Sequence, residues 1–169
     1  MLYILVFLVI YYIFCEYLTR HLKNNEPIKP NRIYYACYKN YKTYGMFIRR
    51  CLGVHVCSSA IIINGNLYRL KKKCLYMQKE PFTMDYIKNK YYVLDTGYNV
   101  DILDKDWEKQ LLNQTRFNKE KIFKGFNCLR NCSIVLNQLK DFRVKRYEIF
   151  TSIYVLRLVL KRIWKLKKN

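Results

Sequence analysis

Acidic residues are scarce in this chain: 12 Asp plus Glu stand against 32 Lys plus Arg, a net charge of +20 over 169 residues. Such a balance directs attention to anionic partners, nucleic acid or acidic lipid. A second account is equally available. The chain is rich in Lys, Asn, Ile and Tyr, residues with AT-rich codons, so base composition alone can raise its charge. No nucleic-acid motif is present and the basic residues are spread along the chain, so nucleic acid is not indicated beyond net charge. Gly (5) and Pro (3) are also few, which excludes long low-complexity linkers. No repeat of solenoid period occurs. No CxxC pair exists among the seven cysteines, which argues against a zinc ribbon. Their odd number and irregular spacing do not fit a secreted disulfide framework, and reduced thiols are the simplest account. No cofactor or metal site is expected. What the chain does have is apolar content, 51%, enough for one domain with a real core.

The N-terminal segment is the strongest single feature. Leu2 to Cys15 (LYILVFLVIYYIFC) carries no charge, Glu16 interrupts, and Tyr17 and Leu18 extend the run. Counted to Leu18 it would be about 26 Å long as a helix, at the short end of what spans a bilayer. A cleaved signal peptide would want a basic start and small residues at a cleavage site, and EYLTRHLK supplies neither. A buried core helix is the third reading. The expectation is an uncleaved transmembrane anchor over 1–18, a polar linker over 19–31 and an α+β domain over 32–169. Arg20, Lys23, Lys29 and Arg32 follow the anchor, which by the positive-inside rule leaves the domain on the cytosolic or virion-interior side. The sequons at Asn113 and Asn131 should then stay bare.

Along the domain, Arg32 to Tyr38 reads as a strand. The run from Val54 to Ile63, then Asn64-Gly65, then Asn66 onward reads as a hairpin, roughly 54–63 with 66–72, because Asn-Gly suits a turn with positive φ at both central residues. Pro81 to Lys88 fits a short helix and Tyr91 to Leu94 a strand. Asp106 to Gln114 fits a helix with Asp106 near its cap. A helix is expected across 126–142, and another over Glu148 to Lys168 with Ile153, Leu156, Leu160 and Ile163 on one face and Arg157, Lys161, Lys165 and Lys168 on another. That basic face suits either an anionic membrane surface or plain solvent beside a docked helix.

Two histidines are available as imidazole bases. His21 falls in the linker and reads as a solvated surface residue. His55 opens the apolar strand before the hairpin, where a satisfied or strand-end histidine is the plainer reading. Cys132 falls at an expected helix start, with Val135, Leu136 and Leu139 following at helical spacing. A thiol there feels the positive end of the helix dipole, which lowers its pKa, and a nearby His completes a thiolate–imidazolium pair. As a small residue in the core, Cys132 has an equally simple explanation.

The segments GVHVCSSAIIINGNLYRL (Gly53 to Leu70) and FNCLRNCSIVLNQL (Phe126 to Leu139), with FTSIYVLRLVL (Phe150 to Leu160) beyond them, resemble the circularly permuted papain-like thiol hydrolases. These include lecithin-retinol acyltransferase-like and NlpC-like enzymes, with relatives in poxviruses and other large DNA viruses. The resemblance covers roughly residues 32–160 through short motifs. It implies an antiparallel sheet packed on helices. It also implies a hydrolase or acyltransferase in which Cys132 attacks an amide or ester carbonyl and His55 is the base, with Cys128 the fallback nucleophile. A third polar residue, orienting the His, would lie on the second hairpin strand, where Asn66, Tyr68 and Arg69 stand; Tyr68, opposite Ile61 and on the face of His55, is the choice. The alternatives are an inactive member of the same fold serving a virion or membrane structure, and a basic membrane-anchored binding protein.

Overall fold

A computed structural model of the protein describes residues 2–22, 27–39, 59–70, 77–113, 132–139 and 148–168. Its elements are α1 (Leu2–His21), β1 (Arg32–Tyr38), β2 (Ser59–Ile63), β3 (Asn66–Leu70), β4 (Met77–Pro81), α2 (Met84–Lys90), β5 (Tyr91–Asn99), a 3-10 turn (Val100–Ile102), α3 (Trp107–Leu112), a helical stretch at 132–136 and α4 (Glu148–Lys168). The five strands form one antiparallel sheet in the order β4-β3-β2-β1-β5. The chain is an α+β protein, as expected.

Central position explains the composition of β1. Ile33 to Cys37 are all buried, because β1 has a strand on each side and packed side chains on both faces. One face carries Ile33, Tyr35, Cys37, Ile61 and Tyr68 into the larger core, where they meet residues of α3, α4, the 132–139 segment and Leu22. The other carries Tyr34, Ala36, Ile62 and Leu67 into a smaller core closed by Ile87 of α2. Side chains alternate between these faces along each strand, so the sheet has helices on both sides.

The hairpin forms as the Asn-Gly pair predicts. Asn64 and Gly65 hold φ of 48° and 73°, and Ile61 pairs with Tyr68 and Ile63 with Asn66. The Asn64 side chain also accepts from the Asn31 backbone N–H at 3.1 Å, which ties the turn to the entry of β1. Residues 54–58, expected in the first hairpin strand, lie outside the described residues.

Other boundaries moved. β4 was not anticipated: Met77 is buried, Lys79 and Pro81 are exposed, and so polar an edge strand lacks the usual apolar signature. Pro81 ends β4 instead of opening a helix. α2 begins at Met84, capped by Thr83, whose hydroxyl accepts from the Tyr86 backbone N–H at 3.3 Å. β5 runs on to Asn99, well past Leu94. Asp106 does sit at the N-cap of α3, though its side chain makes no capping bond. The helix expected across 126–142 is described only from residue 132, and its helical part ends at 136.

α4 matches its expected bounds, and its basic face is exposed at Arg157, Lys161 and Lys165 as expected, but its apolar face is displaced. Val155, Leu158, Val159, Arg162 and Ile163 are buried, whereas Leu160 is 45% exposed; Ile153 lies outside the described side chains. Arg162 is the reason. Its guanidinium Nη1 donates to the Val93 carbonyl of the edge strand β5 at 2.6 Å, so an Arg occupies a core-facing position that an apolar pattern would not assign to it.

The anchor expectation is corrected in part. α1 is helical to His21, beyond the expected end at Leu18, and among the described residues no helix is long and apolar enough to cross a membrane. The domain claims the far end of this helix: Cys15 and Leu22 are fully buried and α1 packs against α4. Glu16 sits at that junction. The uninterrupted apolar run, Leu2 to Cys15, covers about 21 Å of helix against a hydrocarbon core of about 30 Å.

Candidate functional site

The sequence placed its chemistry on Cys132, His55 and Tyr68. His55 and the fallback Cys128 lie outside the described residues. Tyr68 is on β3 and points into the larger core, 2% exposed, its ring meeting Trp107 edge-on at 5.3 Å. Its hydroxyl donates to Glu108 Oε1 at 2.5 Å. Burial and the bond to the Glu108 carboxylate both push the Tyr68 hydroxyl pKa up, so it stays protonated. Among the described residues, Tyr68 therefore orients a carboxylate rather than an imidazole.

Glu108 is the residue sequence reasoning missed. It opens the first turn of α3 and receives Lys79 Nζ at 2.8 Å as well as the Tyr68 hydroxyl. These two donors, Lys79 first, pull its carboxyl below the ordinary carboxylate range. The arrangement ties edge strand β4, its neighbour β3 and α3 together. No spacing in the chain announces it, because the three residues come from three separated segments.

The other two candidates for a third residue have other partners. Arg69 points to the opposite side, where it pairs with Glu80 at 2.8 Å and reaches the Tyr91 hydroxyl at 3.4 Å. Asn66 uses its amide to close the turn onto the Asn64 carbonyl at 3.0 Å.

Cys132 is the first described residue of the helical stretch 132–136, so its expected place at a helix start lies outside the described residues; it shares the larger core with Tyr68. It is fully buried among Val135, Leu136 and the sheet residues of that core. Gln138 fixes the segment by accepting from the Asp104 backbone N–H at 2.8 Å. A fully enclosed side chain gives a substrate carbonyl no direct approach. Of the two readings of Cys132, its enclosure favours the core one.

Two surfaces remain. On α1, every residue from Tyr3 to Ile10 is exposed, with Ile4 at 65%, Phe7 at 66% and Ile10 at 60%. Eight successive residues cover more than two turns, so the helix is apolar and uncovered around its full circumference. On α4, Arg157, Lys161 and Lys165 are exposed together with Leu160 and Trp164. A comparison with family models, curated proteins and solved structures finds no match to this chain.

Proposed function

We propose that the protein is a membrane-tethered basic domain, with α1 inserted into the bilayer as the tether and the sheet domain held at the cytosolic or virion-interior surface. The observation that carries this is the all-round apolar exposure of α1 from Tyr3 to Ile10. A helix meant for a protein groove or a coiled-coil partner is apolar along one stripe and polar elsewhere; one apolar all round is at home in lipid. Exposed apolar patches of this extent are rare on monomeric soluble proteins.

Magnitudes favour lipid as well. The nine exposed Ile, Leu, Val and Phe residues between Ile4 and Phe14 would contribute about −3 to −5 kcal/mol in membrane insertion, at about −0.3 to −0.6 each. Glu16, the one charge near the run, is at the domain end, where a carboxylate remains at the headgroup level. Tyr11, Tyr12 and Tyr17 lie close to the same level, which tyrosine favours. The basic residues from Arg20 onward can meet anionic headgroups at the surface that α1 enters.

Flotation of the full chain with phosphatidylcholine vesicles tests the tether. The wild-type chain is expected in the floated fraction and to resist alkaline carbonate extraction. A Val6→Lys/Val9→Lys variant, altered only at exposed positions, is expected to remain below. Equal behaviour of both proteins would sink the reading.

A further inference from the structure

α4 has two sides of opposite character. Its buried side packs against β5 and α1. Its outward side consists of Arg157, Leu160, Lys161, Trp164 and Lys165, which share an arc of about 140° at 100° per residue. Arg157 stands near the middle of that arc, with Lys161 and Lys165 on one side and, on the other, Trp164, 66% exposed, and Leu160, 45% exposed.

We propose that this face is a binding surface for anionic phospholipid headgroups, seated on the same bilayer that receives α1. The inference rests on the tether reading and adds the lipid class and the residues that meet it. Three observations support it. Lys and Arg stand beside an exposed Trp and Leu on one face, the composition of interfacial helices, in which the indole lies among headgroups and the ammonium groups meet phosphates. The three cations offer complementary charge to an acidic leaflet, worth about fivefold in binding for each. The face also belongs to the helix that packs on α1, so the element nearest the tether is the one that carries it. A nucleic acid would meet the same charges, but it gives no account of why the surface adjoins an apolar tether.

The test uses the full chain carrying Trp107→Phe, which leaves Trp164 as the remaining tryptophan. It is mixed with vesicles of phosphatidylcholine alone, with vesicles that also contain phosphatidylserine, or with a duplex DNA. Flotation reports the tether, and acrylamide quenching of Trp164 fluorescence reports the face. The expected result is co-flotation with both vesicle types, but a blue shift and shielding of Trp164 only where phosphatidylserine is present. Neutralising the cations (Arg157→Gln, Lys161→Gln, Lys165→Gln) should remove a preference for the acidic vesicles of on the order of a hundredfold, about fivefold per residue, while flotation persists. Co-flotation with Trp164 equally quenched on both lipids overturns the inference and leaves the tether standing. Loss of flotation with every vesicle overturns the tether and the inference with it. Shielding by DNA but not by acidic vesicles overturns the lipid assignment in favour of a nucleic-acid surface.

Discussion

The Tyr68 hydroxyl and the Glu108 carboxylate meet at 2.5 Å, and this bond joins a hairpin strand to the helix that follows the sheet. Glu108 also holds Lys79 at 2.8 Å, so three elements converge on one carboxylate. Tyr68→Phe keeps the ring against Trp107 and removes the donor. The expected loss is about 1.5–3 kcal/mol in equilibrium denaturation, the range for a hydrogen bond to a charged group. An unchanged denaturation midpoint would show that the bond contributes nothing.

Acid should loosen the same junction. The Glu108 carboxyl is lowered in the folded state by Lys79 and Tyr68. Its contribution is therefore fully present above the unfolded carboxylate value of about 4.3 and is lost as pH falls through the lower folded value. Stability of the wild type measured between neutral and acid pH should fall more steeply than that of Glu108→Gln. Parallel curves for the two proteins would contradict the assignment. Glu108 is partly exposed, so added salt should weaken the difference.

Gly65 holds a φ of 73° with nothing within 4 Å of where a Cβ would sit. Gly65→Ala is expected to destabilise by about 1 kcal/mol through backbone strain alone, since no atom is displaced. A stability equal to wild type in thermal unfolding would show that the turn relaxes to another type at no cost.

Cys132 is fully buried in the larger core. Iodoacetamide should leave it unmodified in the native protein and label it only after denaturation, as mapped by mass spectrometry. Rapid, selective labelling of native Cys132 at neutral pH would instead restore the thiol-nucleophile reading and call for His55 beside it.

The hairpin and its register were legible because Asn64-Gly65 prescribes a backbone geometry locally, and Ile61 opposite Tyr68 follows from it. β1 was legible because a central strand must be apolar on both faces. β4 was not, since an edge strand facing solvent is chosen for polarity, and MQKEP carries residues that strands usually avoid. The inward face of α4 was misread because apolar residues lie in two overlapping stripes. Val155, Leu158 and Val159 fill the core on the buried stripe, where Arg162 donates to a β5 carbonyl that only the folded chain brings near. Of the site, Tyr68 was placed on the correct strand and opposite Ile61, while His55 lies outside the described residues; the partner of Tyr68, Glu108, lies forty residues away and no motif links them.

Orientation makes a separate expectation. Asn113 closes α3, is exposed, and begins the sequon Asn113-Gln114-Thr115. With the domain on the cytosolic or virion-interior side it should carry no glycan when the chain is expressed in glycosylating cells. A mobility shift reversed by an N-glycosidase and abolished by Asn113→Gln would place the domain on the opposite side.

The central claim concerns what surrounds α1. A phospholipid bearing a photoactivatable group in its acyl chain, incorporated in vesicles with the full chain, labels whatever the hydrocarbon touches. Peptide mapping is expected to find label at positions on all sides of the helix between Ile4 and Ile10, because those residues are exposed around its whole circumference. Label restricted to one helical face, or absent from this segment, would contradict the tether and point to a protein partner around α1.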